Sequence, residues 1–215
     1  MIHTIVSTGR IDLLRLALDS VKPLWKDTVI LDNSLEGRVS RMHWNVPVVR
    51  PSVPLSCAQA MNFLQVMALA TNHEVFGYQH EDAQAAEGTA DALLEAIPHR
   101  LNKEKWCAVF TCYDILSVYN VNAVMDIGPW DQGFPNPNYH VDIDWFYRAR
   151  LLGYQTLDTQ LQVTHLEGGS VTRKMPERRR AHEATIGYNG SYYQQKWGGP
   201  PHAEVFKSPW NQLEN

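Results

Sequence analysis

A chain of 215 residues, 44% apolar and 20% charged, is long enough for one well-buried core or one domain carrying a tail, and is expected to be compact and soluble. Its formal net charge of -4 argues against a general duplex-binding surface, because nonspecific affinity for DNA rests on phosphate neutralisation by clustered lysine and arginine. No window approaches the roughly 18 uninterrupted apolar residues of a membrane span, and the opening MIHTIVSTGR lacks the basic-then-apolar order of a secretory signal, so a cytoplasmic protein is expected. Cys57, Cys107 and Cys112 cannot all pair, and buried or idle thiols are expected in place of a disulfide framework.

In chain order, Ile2 to Ser7 is a short β-branched run ending in STG, and Leu14, Ala17, Leu18 and Val21 then recur at helical spacing until Pro23. Thr28 to Leu31 reads as a second strand, broken by Asp32-Asn33-Ser34. A loop punctuated by Pro47, Pro51 and Pro54 follows. Cys57, Ala60, Met61, Leu64, Met67 and Ala68 form one apolar helical face, and Glu74 to Tyr78 is a third strand. It runs into YQHEDAQ, where His80, Glu81 and Asp82, three groups that resist dehydration, replace an ordinary turn. A helix from about Thr89 to Ile97 leads to a fourth strand at Trp106 to Thr111.

Strands separated by helical segments of this length imply right-handed crossovers and an α/β fold with a largely parallel sheet covered on both faces. Ligands of such sheets gather beyond the carboxyl ends of the strands. Ser7-Thr8-Gly9-Arg10, Asp32-Asn33-Ser34 and Gln79-His80-Glu81-Asp82 all lie at such ends, so three polar clusters distant in sequence are expected to meet at one crevice.

From Ile115 onward the pattern becomes mixed. A strand-like ILSVY precedes a short helix over Val121 to Ile127 closed by Gly128, and a loop rich in Pro, Trp and Asn leads to a helix from Val141 to Leu152. A strand pair at Gln155 to Leu157 and Leu161 to His165 completes this half. In that helix Ile143, Phe146, Tyr147, Arg150 and Leu151 share one face. Asp142 and Asp144 project about 200° apart and cannot do the same job. Asp144 has Arg148 four residues on, the spacing of an exposed ion pair; Asp142, without such a partner, suits either the helix dipole or chemistry. The basic run Arg173 to Arg180 reads as a solvated face or as a contact for an anionic ligand.

Taken in order, these segments resemble the GT-A glycosyltransferases, in particular the family-2-like group that moves a sugar from a nucleotide diphosphate donor. The STGR loop looks like the nucleotide-sugar entry, ILDNS like the second strand whose aspartate holds the nucleobase, and QHED stands where the family places its DXD metal motif. WDQGF followed by DIDWFYRARLLGY is similar to the acceptor loop and catalytic-aspartate helix, and VTHLEGGS to the strand whose histidine completes the metal site. YYQQKWGG followed by SPWN is similar to the C-terminal segment of several members.

The resemblance implies a single domain over 1–215, with a nucleotide-binding half (1–112), an acceptor and catalytic half (113–170) and a basic C-terminal segment and tail (171–215). It implies Mn2+ or Mg2+ held by Asp82 with His165, and with His80 at the position where the family has aspartate. Ser7, Thr8, Gly9, Arg10, Asp32, Asn33, Glu81 and Arg178 would bind the donor. Asp142 would act as the base of an inverting transfer with Asp144 and Asp131 as rivals, and Trp130 and Trp145 would line the acceptor site. Arg173, Lys174 and Arg178 to Arg180 would close over the diphosphate or attract an anionic acceptor, which is a glycan, a lipid-linked sugar, a protein side chain or a modified base. Two other classes stay open: a GT-A-like nucleotidyltransferase, disfavoured by the single glycine and lack of lysine in STGR, and a noncatalytic nucleotide- or carbohydrate-binding module, motivated by the altered HED. A transition-metal hydrolase finds no HExxH or CxxC spacing.

Overall fold

The structure, a computed structural model, describes residues 1–97, 105–111, 114–135, 140–166 and 176–212. In chain order the elements are β1 (Ile2–Ser7), α1 (Ile11–Ser20), β2 (Thr28–Asp32), β3 (Val48–Val49), α2 (Cys57–Ala70), β4 (Val75–His80), β5 (Ala83–Ala85) and α3 (Thr89–Ala96). They continue with β6 (Trp106–Phe110), β7 (Leu116–Asn120), α4 (Val121–Ile127), α5 (Val141–Leu151), β8 (Gln155–Asp158), β9 (Val163–His165) and α6 (Pro176–Trp197).

Seven strands form one sheet in the order β3-β2-β1-β4-β7-β6-β8. β7 pairs antiparallel with both β4 and β6, and every other pairing in the sheet is parallel, so β7 alone runs against its six companions. Alternate residues of each strand enter opposite apolar layers, as the two-residue period of a strand requires. Ile2, Leu31, Phe76, Ala108 and Tyr119 pack with α2, α4, α5 and α6. Ile5, Ile30, Val75, Val109 and Val118 pack with α1 and α3 on the other side. This is a mostly parallel sheet between two helical layers. No described helix is long and apolar enough to cross a membrane.

Local chemistry sets the element ends. Ser56 caps α2 through its hydroxyl, which accepts from the Gln59 N–H, while the Gln59 side chain accepts from the Ser56 N–H; this reciprocal box fixes where the Pro-rich loop stops. Gly77 interrupts an otherwise bulky β4 because a Cβ there would lie 2.9 Å from Cδ2 of His3 on the neighbouring strand. His3 is fully buried, its Nδ1 3.0 Å from Oγ1 of Thr28, whose hydroxyl donates to the Leu24 carbonyl.

Burial, opposed by a contact with Gln79, lowers the His3 pKa from 6.5 to about 4. The folded state therefore refuses a proton that the unfolded chain accepts, so stability is complete above pH 6.5 and falls as the pH drops toward 4. Urea unfolding should show a loss from this group of about 2 kcal/mol between pH 7.5 and 5, absent from His3→Gln.

Three sequence expectations change. The segments 155–157 and 161–165 do not pair with each other: β8 extends the main sheet beside β6, and β9 pairs with β5 in a separate two-stranded ribbon. Two short strands, β3 and β5, lie in stretches read as loop. The basic C-terminal segment holds a 22-residue helix, α6.

Candidate active site

Strand register brings the polar loops together. Ser7 of β1 is opposite Asp32 of β2, and Val6 is opposite His80 of β4, so the carboxyl ends of three parallel strands finish side by side. The chain turns at Glu81 and Asp82 into β5, whose Ala83 pairs with His165 of β9. The Leu166 N–H donates to the Asp82 carbonyl at 2.7 Å and closes the ribbon.

That ribbon sets His165 Nε2 3.2 Å from Oδ1 of Asp82, and His80 Nδ1 lies 3.8 Å from the same oxygen. The two imidazoles meet edge to face at 5.8 Å, and one donor atom from each of the three side chains lies within 4.8 Å of the others. Asp82 is buried, while both histidines are about one-third exposed and open the cluster to solvent. Burial, aided by His165, outweighs Asp114 and Asp82 and lowers the His80 pKa, which favours the neutral ring.

Glu81 points the other way. Its carboxylate accepts from Ser7 Oγ (2.6 Å), from the Thr8 hydroxyl and from the Arg10 N–H (3.1 Å), so both oxygens are spent tying β4 to the Ser7–Arg10 loop. Asp32 is equally occupied: Ser34 and Ser40 each donate a hydroxyl and an N–H to it. Burial would raise the Asp32 carboxyl, but these four donors hold it below its ordinary value. Asn33 exchanges two hydrogen bonds with the Leu55 backbone. Arg10 is paired with Asp12 at 2.8 Å, and Gly9 has a positive φ of 104° within close reach of Ser34.

As placed, these side chains hold one another at the carboxyl edge of the sheet. Glu81, Asp32 and Asn33, expected to bind the donor, each make hydrogen bonds within the protein. Asp32→Asn should lower stability by about 2 kcal/mol in the absence of any nucleotide, measured by thermal unfolding, because an amide cannot accept from all four donors.

In α5, Asp144 is fully buried, not an exposed partner of Arg148. It accepts from Arg148 Nε (3.1 Å) and Trp197 Nε1 (2.8 Å) and lies 2.7 Å from Lys196 Nζ. Lys196 also reaches Asp131 at 2.6 Å, and Tyr192 donates its hydroxyl to Asp131 at 3.0 Å. Burial alone would raise Asp131, yet Lys196, the Gly133 N–H and Tyr192 hold it low. Both rival bases are thus engaged with cations.

Trp130 and Trp145 are 2% and 0% exposed and stack on each other at 4.6 Å, so neither presents a face to an acceptor; the expectation that they line its site is corrected. They anchor the loop before α5: the Trp130 backbone exchanges two hydrogen bonds with Asn62, and Trp145 Nε1 donates to the Gly128 carbonyl.

Asp142 differs from its rivals. It is half-buried in the first turn of α5, and burial together with Asp114 lifts its carboxyl above the ordinary range. Asp114, exposed beside β7, acts electrostatically on both Asp142 and His80. The start of α2 joins them: burial, Asp142 and Asp114 push the Cys57 thiol up to about 12. Asp142 and His80 therefore both lie within electrostatic reach of Asp114.

No protein-family model matches the sequence, and no curated protein matches it. Solved structures do. A mannosyltransferase from Pyrobaculum calidifontis, solved with GDP-Man and Mn2+, superposes with a TM-score of 0.62 at 15% identity over 93% of this chain and 66% of its own length. Glucosyl-3-phosphoglycerate synthase from Mycobacterium tuberculosis, solved with Mn2+, UDP and phosphoglyceric acid, gives 0.54 at 13% identity over 87% of this chain and 77% of its own. The fold is GT-A-like, shared with these two structures.

Within this GT-A fold two groups escaped the sequence reading. Asp114 follows a strand in TCYDIL, and only the neighbouring charges reveal its place. Lys196 sits in YYQQKWGG, a segment with no apolar stripe to announce a buried face. Arg173, Lys174, Tyr139 and Cys112 lie outside the described residues, as does the side chain of Arg178. Arg179 pairs with Glu183 on the exposed face of α6, and neither Cys57 nor Cys107 is in a disulfide.

Proposed function

We propose that this chain is a glycosyltransferase that moves a sugar from a nucleotide diphosphate donor to an acceptor hydroxyl, with inversion at the anomeric carbon and with a divalent cation. The observation that carries this reading is the grouping of His80, Asp82 and His165 at the carboxyl edge where ligands of parallel sheets bind, with Asp114 acting electrostatically on both His80 and Asp142. The donor set fits a cation: one buried carboxylate and two imidazoles, each with a donor atom toward the others, suit Mn2+ better than Mg2+. When bound, such an ion neutralises the negative charge that builds on the departing diphosphate.

The chain's own residues divide the remaining work. Glu81 fixes the Ser7–Arg10 loop, and Asp32 and Asn33 fix the loops beside it, so the donor meets a preformed wall. Asp142 takes the proton of the incoming hydroxyl at its carboxylate, and its raised pKa makes that carboxylate a stronger base than an ordinary aspartate. With only a proton passing to Asp142 and no bond from it to the sugar, the transfer is one displacement with inversion. Asp144, Lys196 and Arg148 hold α5 and its loop in place and touch no substrate.

The internal saturation of Asp32, Asn33 and Glu81 favours a second reading, a noncatalytic nucleotide-sugar-binding GT-A module. A thermal-shift screen of UDP, GDP, CDP and dTDP sugars with Mn2+, followed by donor hydrolysis and transfer assays, separates the two. Stabilisation with turnover supports the enzyme, stabilisation without it supports the module, and no stabilisation by any donor overturns both.

A further inference from the structure

We propose that His80 makes this cation site selective for transition ions over magnesium and lets it take its ion before any nucleotide arrives. The inference rests on the reading of His80, Asp82 and His165 as a cation site, and goes beyond it in assigning selectivity and order of binding to one residue. Three observations carry it.

The donor chemistry comes first. Two imidazole nitrogens and one carboxylate form a mixed set, whereas magnesium seeks oxygen ligands in near-ideal octahedral geometry and keeps its waters. With two imidazoles the set carries only the one negative charge of Asp82, and charge is what attracts a hard ion. Affinity at nitrogen-containing sites rises along the divalent series from manganese through cobalt toward zinc.

Spacing is the second. Ligand bonds of about 2.1 Å place neighbouring donors around one ion about 3 Å apart. The separations from Asp82 Oδ1 are 3.2 Å to His165 and 3.8 Å to His80, so small side-chain rotations bring the three onto one ion.

Preorganisation is the third. Each ligand is fixed by the protein backbone: His80 by its N–H to the Ile115 carbonyl at 2.9 Å, Asp82 by its carbonyl to Leu166, and His165 by its register opposite Ala83. The His80 ring also packs on Tyr78 at 5.2 Å and on His165. None of these restraints involves a ligand, so the site needs no nucleotide to assemble.

The test is Mn2+ binding to the full chain, read from the loss of the free aquo-ion signal in electron paramagnetic resonance, and Co2+ binding, read from its visible absorption. Both are measured without nucleotide and then with Mg2+ as competitor. The expected result is binding of one Mn2+ or Co2+ per chain that Mg2+ displaces only at an excess on the order of a hundredfold. His80→Asp should narrow that excess by about tenfold or more and weaken Co2+ more than Mn2+.

Because the wild-type competition stands without any variant, a misfolded His80→Asp leaves the proposal testable, and His80→Gln gives a neutral second substitution that should weaken Co2+. Mn2+ that binds only with UDP or GDP present, or that Mg2+ displaces near equivalence, overturns this inference and leaves the cation site standing. A chain that takes up no ion with or without a nucleotide diphosphate overturns the site and the inference together.

Discussion

Asp142→Asn is expected to leave donor binding intact and to lower sugar transfer by about 10²–10⁴-fold, the contribution of a positioned base. The amide keeps the size and the helix-start position of the carboxylate but cannot accept the hydroxyl proton. A companion substitution checks the electrostatics. Burial and Asp114 together raise the Asp142 pKa, so Asp114→Asn should lower it. A base must be ionised to act, and the acidic limb of the kcat/KM profile in Asp114→Asn should therefore move to lower pH. Normal transfer by Asp142→Asn would remove that residue from the mechanism.

Lys196→Met is expected to cost about 3–5 kcal/mol of stability, measured by urea unfolding, because it strands carboxylates that the ammonium now neutralises in a dry interior. Lys196 is 5% exposed and lies 2.6 Å from Asp131 and 2.7 Å from Asp144. Asp144 keeps Arg148 and Trp197, whereas Asp131 keeps only Tyr192 and the Gly133 N–H among the partners named above. The low pKa of Asp131 stabilises the fold above its unfolded pKa of about 3.8, and this contribution is lost as the pH falls through its lower folded value. In Lys196→Met that acid-side loss should shrink. A cost below about 1 kcal/mol would mean that the cluster behaves as a surface ion pair.

Much of the framework was legible because periodicity reports burial. The runs of β1, β2, β4 and β6 and the helical repeats of α1 and α2 follow directly from which side chains meet the two apolar layers. The polar residues at the strand ends were legible as a group, since a parallel sheet sends its carboxyl ends to one edge.

Their individual roles were not legible. Asp32 and Glu81 look like ligand groups in a linear sequence, and only the positions of Ser34, Ser40, Ser7 and Thr8 show that folding consumes them. The face of α5 was misread for the same reason. Its buried side includes Val141, Asp144 and Trp145 because α6 supplies Lys196 and Trp197 to neutralise and cover Asp144. α6 itself buries Asn189, Tyr193, Lys196 and Trp197, a polar and aromatic stripe that hydrophobic periodicity does not detect. Trp130 and Trp145 show the reverse error: one indole in a Gly- and Pro-containing loop and one on α5 became a stacked pair in the core.

The most direct test of the cation-and-diphosphate crevice is the anomalous scattering of manganese in crystals grown with Mn2+ and UDP or GDP. The account predicts a peak bounded by His80, Asp82 and His165 with the diphosphate against it, on the same side as Asp142. A nucleotide seated elsewhere, or a manganese peak away from Asp82, would contradict it.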